Sequence, residues 1–168
     1  MQSFILTAFG ADQPGLVSSL TGLIQENGGN IEESRMMKMG NQFVMTVLIT
    51  LTKDEVNNLK TNLSSLSSLH VQIHPTQKTK ISNTNTKIIE LSGADNEGIV
   101  HSLTKKLALN KINIIELETF IDIAPISATP LFNLKATIEL PGNLTNDSLY
   151  DILEKHSSKL GVNIEIIN

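Results

Sequence analysis

The stretch Gly10-Ala11-Asp12-Gln13-Pro14-Gly15-Leu16-Val17 recurs later in the chain as Gly93-Ala94-Asp95-Asn96-Glu97-Gly98-Ile99-Val100. Each copy follows an apolar run and opens an amphipathic segment, a pattern typical of a strand, a tight turn and the start of a helix. The match continues to an Asn-Ile pair with a glutamate two residues on, at Asn30-Ile31 and Asn113-Ile114. An internal repeat of this length predicts two copies of one structural unit.

The composition describes a weakly acidic chain with enough apolar residues to build a core. Of 168 residues, 40% are hydrophobic, Asp and Glu number 17 against 13 Lys and Arg, and cysteine is absent. The missing cysteines exclude disulfides, thiolate chemistry and cysteine-based metal sites. No basic cluster supplies the electrostatic footprint of direct DNA binding. The sequence shows neither a signal-peptide pattern nor an apolar run of about 20 residues, so we expect a soluble, cytoplasmic protein without membrane contact.

The first half, residues 1–75, predicts the order strand, helix, strand, strand, helix, strand. Asp12 is placed to cap the first helix, with Pro14 in its first turn. Thr52 and Glu55 form a capping box for the second helix, and Gly40-Asn41 predicts a hairpin turn. The predicted elements are a strand at Ser3–Phe9, a helix with the inner face Leu16, Val17, Leu20, Leu23 and Ile24 that ends at Asn27-Gly28-Gly29, strands at Asn30–Met39 and Gln42–Leu51, a helix with the inner face Val56, Leu59, Leu63 and Leu66, and a strand through Val71 and Ile73 to Pro75.

The polar segment 76–86 predicts a linker, and residues 87–168 repeat the order of the first half. Each half is therefore expected to form an α+β, ferredoxin-like βαββαβ unit, with two helices on one face of four antiparallel strands. Because an open sheet edge favours pairing, we expect the halves to pair by edge or by face. The predicted elements are a strand at Lys87–Leu91, a helix lined by Ile99, Val100, Leu103 and Leu107, strands at Asn113–Ile123 and Leu131–Leu140, a helix from Thr145 lined by Leu149, Ile152, Leu153 and Leu160, and a strand at Val162–Ile167.

These motifs resemble a known family. A strand followed by Gly-Ala-Asp-x-Pro-Gly-Leu-Val, a helix and then Gly-x-Asn-Ile-Glu is similar to the ACT domain, a small ligand-binding regulatory module, here in tandem. The run Asn30-Ile31-Glu32-Glu33-Ser34-Arg35-Met36-Met37-Lys38-Met39-Gly40, followed by Phe43, resembles the glycine cleavage system transcriptional repressors within that family. The second half departs from the pattern, with Glu97 in place of Pro14 and Lys111-Ile112 in place of Gly28-Gly29. Whether both halves bind a ligand therefore stays open.

The resemblance implies a function as well as a fold. ACT modules bind amino acids near the loop between the first strand and the first helix, at the interface of paired domains. The repressor branch implies glycine as the effector and a LysR-type transcriptional activator of the glycine cleavage operon as the protein partner, without direct DNA binding. No cofactor other than a small amino-acid effector is implied, and we expect no metal site. The residues leave open whether two chains form a homodimer.

The chemistry of an amino acid suits the repeated turn. A helix N-terminus offers unpaired N–H groups to a carboxylate, and glycines leave those amides accessible. Asp12 or Asp95 is placed to meet the ammonium, and Asn30 or Asn113 to add a hydrogen bond from beside the loop. The residues expected to bind the ligand are Gly10, Ala11, Asp12, Gln13, Pro14, Gly15 and Asn30 in the first half, and Gly93, Ala94, Asp95, Asn96, Gly98 and Asn113 in the second.

Each of these residues also has a purely structural interpretation. The aspartates are good helix caps, the glycines are suited to a tight turn, and the asparagines are suited to holding the loop. Arg35, the only arginine, fits either a surface position or a grip on a carboxylate. The methionines at 36, 37, 39 and 45 fit sheet packing or an adaptable partner surface.

Catalysis has little support in the sequence. The four histidines are scattered, and no metal-ligand spacing or nucleophile–base pair is recognisable. The chain is therefore expected to be a non-enzymatic, amino-acid-sensing regulator that acts through a protein partner. Three alternatives stay open at this stage, namely a tandem ACT protein that regulates a metabolic enzyme in trans, a ligand-free dimerisation module and an unrecognised enzyme.

Overall fold

The repeat in the sequence produces two structural units with the same order of elements. The computed structural model describes residues 1–78, 85–94, 96–123 and 129–167. Its contacts divide the chain into Met1–Lys80 and Ile81–Asn168, and each unit has the predicted βαββαβ order. Most of the predicted linker at 76–86, namely residues 79–84, lies outside the described residues.

The first unit is a four-stranded antiparallel sheet with two helices. Its strands lie in the order β2-β3-β1-β4, and all three pairings are antiparallel. The hairpin turns at Gly40, whose φ of 61° is in the left-handed region that glycine tolerates. The elements are β1 (Gln2–Ala11), α1 (Leu16–Glu26), β2 (Asn30–Met39), β3 (Gln42–Leu51), α2 (Lys53–Leu63) and β4 (His70–Thr76).

The second unit repeats this topology, with the strand order β6-β7-β5-β8. The predicted ferredoxin-like fold is confirmed in both halves. Between the two strands predicted at Asn113–Ile123 and Leu131–Leu140, residues 124–128 are outside the described set. In the part of the chain that the structure describes, no helix has the length and apolar character needed to cross a membrane. The elements are β5 (Thr86–Ala94), α3 (Ile99–Leu109), β6 (Asn113–Ile123), β7 (Pro130–Glu139), α4 (Asn146–Leu160) and β8 (Val162–Ile167).

Each unit has its own apolar core between the sheet and the helices. On β1 and β3 every second residue is buried, as the period of a strand with one solvated face requires. Leu16, Leu20 and Ile24 of α1 pack on this face with Val17 and Leu23 at its border, as predicted. Leu66 lies beyond the end of α2 at Leu63, but its side chain still packs against the core. The second core is built in the same way around Ile99, Leu103 and Leu107 of α3, but Val100, predicted on the inner face of this helix, is exposed.

The caps of the second helix in each unit follow the local sequence. At α2 the Thr52 side chain accepts a hydrogen bond from the Glu55 N–H, and Glu55 Oε2 accepts one from the Thr52 N–H at 2.6 Å. Thr145 caps α4 by accepting from the Ser148 N–H at 3.2 Å. The Thr52 capping box was predicted, whereas Thr145 was predicted only as the start of the last helix; both caps satisfy N–H groups that have no partner within the helix.

The predicted cap of the first helix is wrong. α1 begins at Leu16, and its N-cap is Gly15 with φ 93°, with no side-chain capping hydrogen bond. Asp12 therefore lies before the helix and forms an ion pair with Lys38 instead. Asp95 lies outside the described residues, but α3 likewise begins after a left-handed glycine, Gly98 with φ 84°. A glycine in this conformation turns the chain into the helix without a capping side chain.

Gly10 allows a close approach between β1 and the segment before β4. A Cβ atom at this position would collide with the backbone carbonyl of Ser68 and would lie 3.1 Å from a methyl of Leu69. Because a backbone atom cannot move aside as a side chain can, a glycine is needed here for packing. Its counterpart Gly93 lies against Val162, where a Cβ would be 2.7 Å from Cγ1.

We predict that Gly10→Ala lowers the free energy of unfolding by about 1–3 kcal/mol, the usual cost of overpacking. Gly22→Ala is the matched control, because nothing lies within 4 Å of a Cβ there. Gly22 is inside α1, so this alanine should stabilise by about 0.5–1 kcal/mol. Urea denaturation of both variants measures the difference, and equal effects would contradict the packing role of Gly10.

Candidate functional site

The turn between β1 and α1 leaves the first amides of the helix available. Gly15 accepts the first intrahelical bond, from the Ser19 N–H at 2.9 Å, and no side chain caps the end. The N–H groups of the first helical turn have no partner within a helix, and together they carry a partial positive charge. An uncapped N-terminus of this kind is suited to a small carboxylate.

An open hollow of about 640 Å³ lies at this helix end. It brings together four of the predicted ligand residues with a side of the pocket that the sequence analysis had not anticipated, from Met36 on β2 and Phe43 on β3. The alternation of side chains along a strand could have indicated these two residues. Met36 pairs with the buried Met45, so it lies on the face of the sheet that packs against the helices. The hollow is lined by Asp12, Gln13, Pro14, Gly15, Leu16, Val17, Ser18, Thr21, Met36 and Phe43.

Asp12 is the one carboxylate in the lining of this hollow. Its N–H donates to the Asn41 carbonyl at 2.9 Å, which ties the turn to the β2–β3 hairpin. Its Oδ2 atom lies 2.8 Å from Nζ of Lys38, and the Asp12 side chain is 30% exposed. The site therefore presents a positive helix end and a negative carboxylate on the same hollow, a combination that matches the two charges of an amino acid.

The second unit shares the helix start but differs in the residues around it. α3 begins after Gly98, no side chain among the described residues caps it, and the Ser102 N–H donates to the Gly98 carbonyl at 2.9 Å. Ala94 ends β5, and Asp95 is outside the described residues. Ile121 pairs with Phe132 where Lys38 pairs with Phe43 in the first unit. The cation that neighbours the first turn thus has an isoleucine as its counterpart.

The two predicted asparagines are not beside the turns of their own units, which corrects the expected geometry. Asn30 pairs with Thr50, whereas Gly10 pairs with Phe43. These partners are seven residues apart on β3, which corresponds to about 23 Å along a strand. Asn113 is displaced from Gly93 in the same way. It lines a different hollow, formed by α3 and the start of β6.

The methionines divide between the core and the surface. Met45 is buried, and Met36 lines the hollow. Met37 and Met39 are exposed on β2, the edge strand whose ten residues are all exposed. The Arg35 Nη2 atom lies 3.3 Å from Oε1 of Glu33 on the same strand, and both side chains are exposed. It lies on the sheet face opposite the core and is not among the residues that line the hollow.

Three of the four histidines have a contact that the structure identifies. His70 stacks on Phe9 with ring centroids 4.9 Å apart, and His74 contacts Gln72. His156 Nε2 lies 3.3 Å from Ser102 Oγ, between α4 and α3. Burial lowers the pKa of His156, and the positive charges of Lys106 and Lys159 lower it further. Among the described residues no group of three or more His, Asp or Glu side chains is arranged to hold a metal ion.

Comparisons with known proteins bear on both units. Residues 2–75 match the sequence model of the ACT domain. The glycine cleavage system transcriptional repressor of Escherichia coli (strain K12) is 26% identical over 117 residues, which are 67% of this chain. The matched region spans 62% of that repressor's own length.

Two further relatives extend these similarities. The UPF0237 protein MMP0657 of Methanococcus maripaludis is 30% identical over 70 residues, covering 40% of this chain and 78% of that protein. A protein of unknown function from Galdieria sulphuraria, solved as a crystal structure, is 28% identical with a TM-score of 0.85. This likeness covers 98% of this chain and 96% of the other, so it extends over both units.

We predict that lowering the pH destabilises the protein through the titration of His156. Its pKa in the folded state is below the ordinary value of 6.5, so the unfolded chain binds the proton first as the pH falls. The free energy of unfolding should therefore decrease as the pH drops from about 7.5 through 6.5 towards the lowered folded value. His156→Gln should reduce this slope, because it removes the group whose pKa is lowered by folding. Urea denaturation at pH 7.5 and 5.5 tests this, and an unaltered slope in His156→Gln would contradict it.

Proposed function

We propose that this chain, whose residues 2–75 match the ACT-domain family, is a non-enzymatic regulator that binds an amino acid, with glycine as its effector. One observation supports the proposal above the others. The hollow at the start of α1 joins an uncapped helix end with the Asp12 carboxylate. The name of the E. coli relative, a glycine cleavage system transcriptional repressor, supports glycine metabolism as the regulated process.

The two charged groups of glycine would have different partners in this hollow. The carboxylate would accept hydrogen bonds from the first N–H groups of α1, which the left-handed Gly15 leaves uncovered. The ammonium would be held by Asp12 through a charge-assisted hydrogen bond. A ligand with so few heavy atoms has little apolar surface to bury, so we expect an affinity weaker than micromolar.

We further propose that the regulator acts through a protein, a LysR-type transcriptional activator, in the cytoplasm. The chain has a net charge of −4, and a protein that binds DNA directly usually carries a basic surface. Exposed methionines on the edge strand β2 offer an adaptable surface for a protein partner. A ligand that binds the free and the partner-bound protein with different affinities shifts the balance between them.

We predict that Asp12→Asn weakens glycine binding by about tenfold or more, because a hydrogen bond to a charged group contributes about 1.5–3 kcal/mol. The same change should lower the free energy of unfolding by less than about 1 kcal/mol, since Asp12 loses only a partly exposed ion pair and no helix cap. Isothermal titration calorimetry and urea denaturation measure the two effects separately.

Glu90→Gln is the matched control for this experiment. Glu90 forms an ion pair with Lys135 at the same 2.8 Å distance, but on strands of the second unit. Its loss should leave glycine affinity unchanged. Equal weakening in both variants would assign the effect to net charge. If the wild-type protein shows no calorimetric binding signal with glycine, serine or other amino acids, the proposal of an amino-acid sensor is contradicted.

The partner is tested by affinity capture from the source cell with and without added glycine. We predict recovery of a LysR-type regulator in amounts that change with glycine. Recovery of a metabolic enzyme in its place would favour regulation of that enzyme in trans. As a separate check, the purified chain alone should not shift DNA of the glycine cleavage operon.

A further inference from the structure

The ion pair between Lys38 and Asp12 occupies the carboxylate that the proposed ligand needs. Lys38 Nζ lies 2.8 Å from Asp12 Oδ2, a distance typical of a charge-assisted hydrogen bond. An alkyl ammonium from the protein is thus placed where the ammonium of an amino acid would be held. The two ammonium groups have the same charge and the same donors, so they compete for one acceptor.

We propose that Lys38 is a built-in competitor of the ligand, which occupies Asp12 in the free protein and is displaced when an amino acid binds. This inference rests on the amino-acid site proposed above and adds its regulation. Lys38 is not among the residues that line the hollow, so it reaches the carboxylate from outside. Its departure would open the carboxylate without emptying any part of the core.

Displacement requires that the lysine leave at small cost, and its surroundings meet this condition. The Lys38 side chain is 63% exposed, so its ammonium can be hydrated again as soon as it leaves. Exposed ion pairs contribute little, because solvent screens them and two flexible side chains must be ordered. The competition would therefore weaken amino-acid binding by no more than about fivefold.

The position of Lys38 connects occupancy of the site to the edge of the sheet. The residue is next to the hairpin on β2, the strand whose ten residues are all exposed. Released from Asp12, it would place a positive charge on the face of β2 that carries Met36, whereas the exposed Met37 and Met39 lie on the opposite face of this strand. A partner that contacts this edge would thus meet a different charge in the ligand-bound protein.

The second unit has no equivalent of this competitor at the corresponding position. Ile121 stands where Lys38 stands in the first unit, opposite the phenylalanine of the neighbouring strand. An isoleucine offers no ammonium to a carboxylate. The built-in competition is therefore a property of the first unit, and it distinguishes two turns that are otherwise closely alike in sequence.

The first test measures glycine affinity of the full chain by calorimetry for the wild-type protein, Lys38→Met and Lys135→Met. Methionine keeps much of the length of the lysine stem but removes its charge. Lys38→Met should bind glycine up to about fivefold more tightly. Lys135→Met breaks an ion pair of equal length in the second unit and should bind like the wild type. If Lys38→Met binds glycine with weaker or unchanged affinity, the proposal that Lys38 competes with the ligand is overturned.

The second test reads the release of the lysine directly. Limited reductive methylation, followed by mass spectrometry, compares the modification rates of Lys38 and Lys135 with and without glycine. Glycine should raise the rate at Lys38 and leave that at Lys135 unchanged, whereas an unchanged or lower rate at Lys38 overturns the inference. If neither the wild type nor Lys38→Met binds glycine, the amino-acid site and the competitor fall together. Binding by the wild type without release of Lys38 overturns the competitor alone.

Discussion

The left-handed glycine at the start of α1 is the constraint on which the proposed site depends. Between Ala11, the last residue of β1, and Leu16, the first of α1, the chain has four residues in which to change from strand to helix. Gly15 makes this change with φ 93°, a conformation that costs other residues about 1 kcal/mol or more. A side-chain cap would cover the first amides of the helix. The glycine starts the helix and leaves them open.

Local chemistry explains how much of this fold could be predicted from sequence. The Thr52 capping box and the Gly40 hairpin each depend on residues a few positions apart, and both were confirmed. The cap at Asp12 was wrong because a carboxylate before a helical pattern has the same local signature whether it caps the helix or pairs with a distant lysine. Lys38 is 26 positions away in sequence (38 − 12), and no local pattern reports that contact. The predicted position of Asn30 beside the turn was wrong for a related reason. Which end of the sheet a residue occupies depends on the strand register, and a local sequence pattern does not show that register.

The divergence between the two repeats affects their chemistry more than their backbone. Lys111 replaces Gly28 at the end of the first helix of its unit, yet it adopts the same left-handed conformation with φ 58°. Asn110 and Asn27 hold this helix end alike, each side chain donating to a carbonyl four residues earlier. The fold therefore absorbs the substitution at a small cost in backbone strain. The exchange of Lys38 for Ile121 leaves the strand pairing intact but removes a charge near the turn.

A weak competitor is useful only where the ligand itself binds weakly, and the two weaknesses have the same physical origin. The ligand and Lys38 each offer a hydrated ammonium to a carboxylate that is 30% exposed, so each exchange replaces one well-solvated contact with another. The net free energy of the Lys38 contact is small, so the ligand gives up little of its own binding free energy when it displaces the lysine. Such a balance responds to changes in metabolite concentration. A buried pair would not, because separating it would leave an uncompensated buried charge. Partial exposure of Asp12 is thus the feature that makes a reversible sensor physically reasonable at this turn.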